Sequence, residues 1–466
     1  MERHAGSPLE EVWVWETDHV KEVWLWETDR LSSSVRRIFA TQSLEILNHW
    51  MYVSIKCSPC DFTGLSSFLR LEECRLHDHG LQESRRPFTY FRGKGLQLGR
   101  PEEILRSDGG YVRRWKSSEI LRCTQVDMYE TTLEENGLLI PRYIDAPGVA
   151  YIHEGSGILG VVYPFGGEFR QKSYVRQVNT GDFISIPDGV VFWLYNNRSE
   201  PFKFTCVADT SNAPNPGEPS KPYHLAGGKE QLVGGLLHGF SDDMLSEAFG
   251  VDVSITHDIF SRQKDVTITR AGKKFNFPYL EGTHRDGEND VAAEFTFSMH
   301  SGKADLIVPD GGWLSFVTRN KLPVLSKVGL SAVRVKLEPR AMIAPLWSPN
   351  AHQIIRFLRG DGRVEVASND GESLLQEDLK ENDVIIVPKF YPSTIIAGER
   401  GLEFIKILTS DSPTASYFAG GNSVYKAIPA QVVAEALQIP LEEEIYIRQQ
   451  RRKDEVILPA VRQHEI

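Results

Sequence analysis

The sequence has no long hydrophobic run, no excess of basic residues and few cysteines. No stretch approaches the ~18 consecutive apolar residues that a membrane-spanning helix requires. Asp and Glu outnumber Lys and Arg by 63 to 52, whereas binding to a nucleic-acid backbone depends on clustered Lys and Arg. We therefore expect neither a membrane nor a nucleic acid as a partner. With 25% charged and 41% hydrophobic residues, the composition is that of a soluble globular protein.

The first residues also lack the features of a secretory signal. MERHAGSPLEE carries acidic residues where such a signal has a basic segment followed by an apolar one. On this pattern alone, the sequence predicts a cytoplasmic protein.

Only five cysteines are present, and four of them precede residue 124. The spacing Cys57-x2-Cys60 followed by Cys74-x2-His77 resembles a structural zinc site, since paired thiolates and an imidazole can complete a tetrahedron. Unligated thiols or a redox-dependent bridge are the alternative. They are favoured because the segment lacks the glycine-marked knuckles that often hold such sites.

Motifs for catalysis are also missing. The chain contains neither a G-x-x-x-x-G-K-[ST] phosphate loop nor a G-x-S-x-G nucleophile elbow. The sequence therefore predicts no catalytic residue and no cofactor site from these motifs.

Four of the nine tryptophans lie in a short duplication near the start. Glu11–Asp18 returns almost unchanged as Glu22–Asp29, and in each copy the two tryptophans are separated by one residue. In a strand this spacing places both indoles on one face, whereas a helix splits them by roughly 200°. Two copies are too few for a solenoid, which normally needs about three. We predict a small accessory hairpin, with an aromatic binding platform as the alternative.

From Gly109 onward, short apolar runs alternate with Gly, Asn, Asp and Pro turns. Runs such as GILGVVYPF and DFISIPDGVVFWLYN have strand length, and their close spacing is typical of an antiparallel sandwich or barrel. A helix is predicted next, with Ser241 as its N-cap and Gly250 at its end. The polar stretch that follows, 261–312, is interpreted as a linker or mobile loop.

The same order of elements then repeats. Strand-length runs resume at Trp313, and a second helix begins near Pro429, where the missing N–H of proline costs nothing. Residues 152–157 correspond to 357–362, residues 181–187 to 382–388, residues 226–228 to 419–421 and residues 246–249 to 434–437. Two homologous β-domains, each followed by helices, are therefore predicted.

Several motifs carry a family resemblance. A strand ending in x-G-x-G, followed by a G-D-φ-x-φ-x-P-x-G strand, resembles the two motifs of the cupin barrel. NKLPVLSKVGLSAVRVKL and AGGNSVYKAIPAQVVAEALQI are very similar to segments of 11S (legumin-type) seed storage globulins. The chain resembles a plant legumin-like bicupin over about 109–455. This implies a mainly β fold with two cupin jelly-roll β-barrels, each followed by a short helical segment, plus an irregular N-terminal extension.

The expected division of the chain follows from this resemblance. It comprises an N-terminal extension (1–108), cupin domain 1 with helices (109–260), a linker or mobile loop (261–312), cupin domain 2 with helices (313–455) and a tail (456–466).

The resemblance also implies a function and a partner. It implies a non-enzymatic nutrient reservoir protein without a cofactor, located in a protein-storage vacuole as the alternative to the cytoplasm. The helices after each barrel have apolar faces that must be covered, and in the resembled family neighbouring protomers cover them. The implied partner is a second copy of the chain, in a homotrimer or, as the larger alternative, a hexamer.

Two features differ from bulk storage legumins. A mature legumin is cut after an Asn-Gly pair in the inter-barrel loop, where this chain has Asp286-Gly287-Glu288-Asn289. No cysteine follows Cys206, so the bridge between the two cut chains is absent as well. The sequence is more similar to the shorter, uncleaved legumin-like bicupins.

Catalytic cupins hold a metal ion inside the barrel with a His-x-His pair, a downstream Glu and a later His. The corresponding positions are Pro141, Tyr143, Gly148 and Phe192 in the first barrel, and Pro345, Trp347, Gln353 and Ser393 in the second. We therefore predict no metal triad in either barrel, and interiors filled with side chains.

A bicupin that binds a small ligand, or acts as an enzyme, in a barrel cavity without the usual metal ligands is the alternative function. Arg142, Tyr143, His352 and Arg356 are the candidate polar residues of such a cavity. A lone imidazole binds metal poorly, so we expect His352 to be a hydrogen-bonded core histidine. We expect His153 to be a surface residue at a strand end.

Overall fold

The structure is a computed structural model of the 466-residue chain. It describes residues 94–461 except 165–170, 229–233, 264–266, 273–274, 276–294, 300–303 and 452, together with four backbone segments before residue 41. Contacts divide the chain into two units, Met1–Leu81 and Gln82–Ile466.

The first unit contains a four-stranded antiparallel sheet. Its strands, in spatial as well as chain order, are β1 (Arg3–Gly6), β2 (Leu9–Thr17), β3 (Val20–Glu27) and β4 (Ser34–Ala40). Strands β2 and β3 pair the two copies of the duplicated segment, with Trp13 opposite Trp24. The predicted hairpin is confirmed, and this part of the extension is more regular than the sequence predicts.

The second unit begins with the strands of barrel 1, defined as β6–β18. Two sheets form it, with the orders β18-β13-β10-β15-β8-β7-β6 and β12-β11-β14-β9-β16, and β17 also pairs with β9. The strands up to β18 are β5 (Gln97–Leu98), β6 (Glu102–Ser107), β7 (Gly110–Arg114), β8 (Val126–Leu133), β9 (Gly137–Ile144), β10 (Gly148–Glu154), β11 (Ser156–Pro164), β12 (Gln171–Asn179), β13 (Asp182–Ile186), β14 (Val191–Tyr195), β15 (Phe202–Asp209), β16 (Pro222–His224), β17 (Ile268–Arg270) and β18 (Thr296–Ser298).

Barrel 2, defined as β19–β28, repeats this arrangement. Its strands are β19 (Leu306–Val308), β20 (Gly312–Val317), β21 (Ser331–Leu337), β22 (Met342–Trp347), β23 (Gln353–Ala367), β24 (Ser373–Lys380), β25 (Val384–Val387), β26 (Ser393–Leu408), β27 (Ser416–Tyr417) and β28 (Ile457–Leu458). The order β19-β20-β21-β26-β23-β25 reproduces the order β6-β7-β8-β15-β10-β13 of barrel 1. The predicted pair of homologous β-barrels is confirmed.

Helices connect strands within each barrel. They are α1 (Glu119–Thr124), α2 (Asp242–Phe249), α3 (Val253–Ser261), α4 (Leu325–Val328), α5 (Val424–Ala427), α6 (Ala430–Leu437) and α7 (Leu441–Gln449). The predicted N-cap of α2 is confirmed, since the Ser241 side chain accepts a hydrogen bond from the backbone N–H of Met244. Gly250 ends this helix in the left-handed conformation that glycine adopts without strain. None of the helices in the described ranges has the length and hydropathy that crossing a bilayer requires.

Side chains alternate between two hydrophobic cores along the central strands. In β10, Ala150 and Ile152 belong to the core inside barrel 1, whereas Val149 and Tyr151 pack into the core that barrel 1 shares with barrel 2. Phe202 and Phe204 lie fully buried inside barrel 1, and each such side chain contributes roughly 1.5–3 kcal/mol by leaving water. The barrels therefore pack through one face of the sheet that contains β8, β10 and β15.

Three stretches outside the expected domains contribute strands to the barrels. Strand β6, within the expected extension, forms a hairpin with β7, and β5 pairs with β25. Strands β17 and β18, within the stretch interpreted as a linker, pair with β9 and β13 and bury Ile268 and Phe295 in barrel 1. Strand β28, in the expected tail, pairs with β22. These strands are only two to six residues long, too short for a periodic pattern to reveal them.

Candidate functional site

The inner wall of barrel 1 is shaped by a β-bulge in β9. Phe192 lies opposite Arg142 and Leu194 lies opposite Leu139, so β9 has one more residue than β14 between these pairs. Directly opposed residues share a face of the sheet, and Phe192 belongs to the core of barrel 1. Arg142 therefore points into the barrel, and its neighbour Tyr143 points out.

Arg142 is buried inside barrel 1 among neutral groups. Its Nε donates to the Ile140 carbonyl at 3.3 Å, and its Nη2 donates to the Thr267 carbonyl at 2.9 Å. Burial lowers the pKa of Arg142 to about 10, so the guanidinium is still charged at neutral pH. Tyr129 and Cys206 interact with it electrostatically from the facing sheet, where they lie opposite each other in β8 and β15.

The titratable neighbours of Arg142 are held neutral. Burial raises the pKa of the Cys206 thiol to about 12 and that of the Tyr129 hydroxyl well above its usual value. Burial, followed by the charge of Arg142, lowers the pKa of His224 to about 4, so its imidazole carries no charge at neutral pH. A cysteine reacts as a nucleophile in its thiolate form, and Cys206 remains a thiol at neutral pH. This cluster supports packing of the barrel rather than nucleophilic chemistry.

Tyr143 does not line the barrel cavity. Its ring stacks on Tyr223, the residue opposite it in β16, with centroids 4.9 Å apart and ring planes 3° from parallel. The sequence-based assignment of Tyr143 to the interior is corrected, because the bulge reverses the side to which the end of β9 points.

Barrel 2 has the same bulge at the equivalent position in β22. Ile343 lies opposite Ile395 and Leu346 lies opposite Ser393, so β22 has the extra residue. Leu346 therefore points inward, and Trp347 packs on Phe418 with centroids 4.9 Å apart. The position equivalent to Arg142 is an aliphatic side chain in barrel 2.

A lysine that sequence inspection missed lies inside barrel 2. Lys406 on β26 is only 7% exposed, and its Nζ donates to Oε1 of Gln353 at 3.1 Å. Burial lowers the pKa of Lys406 to about 8. The signal was present in EFIKIL, where Lys406 stands two residues from the inward-pointing Phe404, at the period of one strand face.

His352 has a structural role at the start of β23. Its Nδ1 accepts a hydrogen bond from the backbone N–H of Lys389 at 3.1 Å, and its own backbone N–H donates to Thr409 Oγ1 at 2.8 Å. Burial lowers the pKa of His352 to about 4. The imidazole is therefore a neutral acceptor that fixes the turn after β25.

Arg356 lies between the barrels. Its Nη1 donates to Glu130 Oε2 at 2.9 Å and to the hydroxyl of Thr205, both in barrel 1. Its Nη2 donates to Asn382 Oδ1 at 3.2 Å. The structure therefore distributes Arg142, Tyr143, His352 and Arg356 over four separate environments and forms no common site from them.

His153 is more buried than a strand-end surface residue. It is the extra residue where the register between β10 and β15 shifts, and its Nε2 is buried without a hydrogen-bond partner in the described part of the chain. Burial, followed by the charge of Arg356, lowers its pKa to about 3. The expectation of a surface position is corrected, because the bulge turns this side chain towards the neighbouring barrel's Arg356.

Metal-ligating groups do not gather within the described residues. There, no three His, Cys, Asp or Glu side chains lie close enough together to hold a metal ion. The zinc candidates Cys57, Cys60, Cys74 and His77 lie outside the described residues.

Exposed large apolar side chains are concentrated on the helices that follow β16 in barrel 1 and β27 in barrel 2. We define helical lobe 1 as residues 236–261 and helical lobe 2 as residues 424–449. Lobe 1 exposes Leu236, Phe240, Met244, Phe249, Val253, Ile255 and Ile259, and lobe 2 exposes Tyr425, Ile428, Val432, Leu437, Leu441, Ile445, Tyr446 and Ile447. Exposed apolar side chains gathered in this way are typical of interaction surfaces.

Comparison with known proteins finds matches over both barrels. The cupin family model matches residues 96–256 and 300–444. Cocosin 1 of Cocos nucifera is 28% identical over 389 residues, which cover 74% of this chain and 83% of cocosin 1. The 11S globulin seed storage protein 2 of Sesamum indicum is 27% identical over 399 residues, which cover 75% of this chain and 87% of the sesame protein. The crystal structure of the coconut allergen cocosin matches with a TM-score of 0.70 and 30% identity, covering 78% of this chain and 97% of that one.

Proposed function

Because this chain belongs to the cupin family, as a legumin-type bicupin, we propose that it is a non-enzymatic nutrient reservoir protein. The observation that carries the proposal is the inner wall of each barrel. At the metal-ligand positions of a catalytic cupin, barrel 1 has Pro141, Tyr143, Gly148 and Phe192, and barrel 2 has Pro345, Trp347, Gln353 and Ser393. Neither set contains a histidine or a carboxylate, the side chains with which a catalytic cupin holds its metal ion.

The reservoir function is tested by following the protein through the life of the seed. Quantitative immunoblots of the plant that encodes it are expected to show accumulation during seed filling and degradation after germination begins. A constant low level in vegetative tissue, with no decline on germination, would contradict the proposal.

The non-enzymatic part has a separate test. Elemental analysis of the purified full-length protein is expected to find less than one transition-metal ion per chain. A stoichiometric metal that resists dialysis, together with oxygen consumption on a carboxylate or phenol substrate, would overturn it.

We also propose that the protein assembles with itself as a closed homotrimer. Lobe 1 of one protomer then packs against lobe 2 of the next, a heterologous contact that can close into a ring. Met244 is 62% exposed in lobe 1 and Ile447 is 60% exposed in lobe 2, and burying such side chains against another protomer removes apolar surface from water. A ring of this kind joins two different surfaces of neighbouring protomers, and lobes 1 and 2 are those two surfaces.

Light scattering after gel filtration tests this assembly. Met244→Glu and Ile447→Glu, made separately, are each expected to convert trimers into monomers, since each variant places a charge in the contact. Ile307→Glu is the matched control, because Ile307 is 70% exposed but lies on β19, outside both lobes. A wild-type monomer at micromolar concentration, or trimers that persist in both lobe variants, would refute the assembly.

A further inference from the structure

The interior of barrel 2 contains a buried positive charge without a carboxylate partner. The Nζ of Lys406 lies 3.1 Å from the neutral Oε1 of Gln353, and the ring of Phe404 is 5.7 Å away. Within the described ranges, which include every strand of barrel 2, no Asp or Glu forms an ion pair with Lys406. Its pKa of about 8 leaves the amine mainly protonated at neutral pH. Burying an unpaired ammonium costs several kcal/mol, so an anion in this position would stabilise the fold.

Gln353 presents a second unsatisfied donor beside this charge. Its side chain is buried, at 2% exposure, and its Oε1 is occupied by Lys406. Its Nε2 is buried without a hydrogen-bond partner in the part of the chain that the structure describes. An ammonium has three N–H donors and an amide nitrogen has two, so donors remain on both groups after their mutual hydrogen bond forms. Two adjacent donors match the two oxygens of a carboxylate.

The position of Gln353 and Lys406 in the fold favours an anion over a metal cation. Gln353 stands where a catalytic cupin has its carboxylate ligand, so barrel 2 has a neutral amide in place of a negative charge. Lys406 adds a fixed positive charge, which repels a metal cation and attracts an anion. The site therefore has the opposite charge preference from that of a metal-binding cupin.

Barrel 1 lacks both groups at the equivalent positions. Cys206 corresponds to Lys406 and Gly148 corresponds to Gln353, as the matching strand pairs of the two barrels show. Phe192 fills the position that Ser393 occupies in barrel 2, so the larger side chain is in barrel 1. The donor pair and the smaller wall residue occur together in barrel 2.

We propose that barrel 2 binds one small carboxylate between the ammonium of Lys406 and the side-chain amide nitrogen of Gln353. The ligand class is a small monocarboxylic acid. The carboxylate supplies the negative charge that the barrel itself lacks.

Thermal unfolding of the full-length protein tests the site. Acetate and benzoate are compared with their neutral isosteres acetamide and benzamide, and with chloride, at constant ionic strength. At ~100 times its dissociation constant, a carboxylate is expected to raise the Tm by about 3 °C, while the two amides leave it unchanged. Equal shifts with amides and carboxylates, a response to chloride alone, or no response to either carboxylate would overturn the proposal.

Two variants locate the effect at the donor pair. Lys406→Met removes the ammonium, and Gln353→Glu places a carboxylate of the chain itself beside it. Both variants are expected to lose the response to added carboxylate, and Gln353→Glu decides the matter if Lys406→Met fails to fold. Lys380→Met, an exposed lysine on β24, is the matched control and keeps the wild-type response. A full wild-type response in Gln353→Glu would place the ligand elsewhere and refute the site.

Discussion

At the scale of single residues, burial decides the charge state of the polar groups inside the barrels. His224, His352 and His153 all have pKa values well below the usual range because desolvation disfavours the imidazolium. The same cause lowers the pKa values of Arg142 and Lys406. The three histidines are therefore neutral at neutral pH, whereas Arg142 and Lys406 remain charged.

Lys406 provides a prediction of pH dependence in the absence of carboxylates. Its pKa is about 8 in the folded protein and 10.5 in the reference state, so between these values the unfolded chain binds more protons. The free energy of unfolding therefore increases as the pH rises from about 8 to 10.5, because the buried amine loses its proton. Below about pH 8 the buried ammonium destabilises the folded protein by its full amount. Lys406→Met should be more stable than wild type by about 3 kcal/mol at pH 7.

Denaturant unfolding of both proteins across this pH range measures the difference. The advantage of Lys406→Met is expected to shrink above pH 8 and to disappear by about pH 10.5. An advantage that does not change with pH would mean that burial does not lower the pKa of Lys406.

At the scale of elements, the bulges in β9 and β22 determine which side chains enter the barrels. Each bulge contains a proline, Pro141 or Pro345, flanked by the paired residues on either side. Proline has no N–H to donate to the ladder, so within sheets it is found at edges and bulges. The repeated proline was a signal in the sequence, and with it the outward position of Tyr143 could have been predicted.

The N-cap of α2 gives a prediction for helical lobe 1. Ser241→Ala removes the side-chain acceptor for the Met244 N–H and should destabilise the helix by about 1 kcal/mol. Native-state hydrogen exchange is expected to show faster exchange of the first-turn amides of α2. Ser261→Ala, at the end of α3, is the control and leaves those amides unchanged. Unchanged exchange in Ser241→Ala would show that the cap contributes nothing measurable.

At the scale of the whole molecule, an ion pair joins the two barrels. Arg356 and Glu130 are buried at the interface, where Thr205 and Asn382 complete the hydrogen bonds of the guanidinium. Such a pair is worth little against an apolar replacement, but removal of one partner leaves an uncompensated charge. Loss of either partner is therefore expected to destabilise the contact between the barrels.

Glu130→Ala tests this contact. It should lower the free energy of unfolding by about 3–5 kcal/mol, because Arg356 then remains buried without an acidic partner. Glu365→Ala breaks the exposed pair with Arg363 and is expected to change stability by less than about 1 kcal/mol. Equal small effects of the two substitutions in denaturant titrations would contradict the buried role of Glu130.

The covalent form of the mature protein is a further prediction at this scale. The stretch between the barrels has no Asn-Gly pair, and no cysteine follows Cys206. We expect protein purified from the native tissue to migrate as one uncut chain, both with and without reductant. Two fragments that separate only after reduction would show legumin-type processing.

The sequence by itself determined the mainly β class, the duplication of the barrel and the capped helix after barrel 1. These properties follow from local patterns, namely strand-length apolar runs, repeated turn motifs and a serine before a helical period. Each is encoded within about ten residues of chain, so it can be seen without knowing the long-range contacts.

Only the tertiary structure decided that Lys406 lies inside barrel 2, that Arg356 joins the barrels and that β17, β18 and β28 complete the sheets. These outcomes depend on register and on the pairing of segments far apart in the chain, for example Ile268 with Leu139. A shift of one residue reverses the face of every side chain in a strand, and a local pattern of two or three residues does not specify that register. The fold was therefore predictable from the sequence, whereas the charge inside barrel 2 was not.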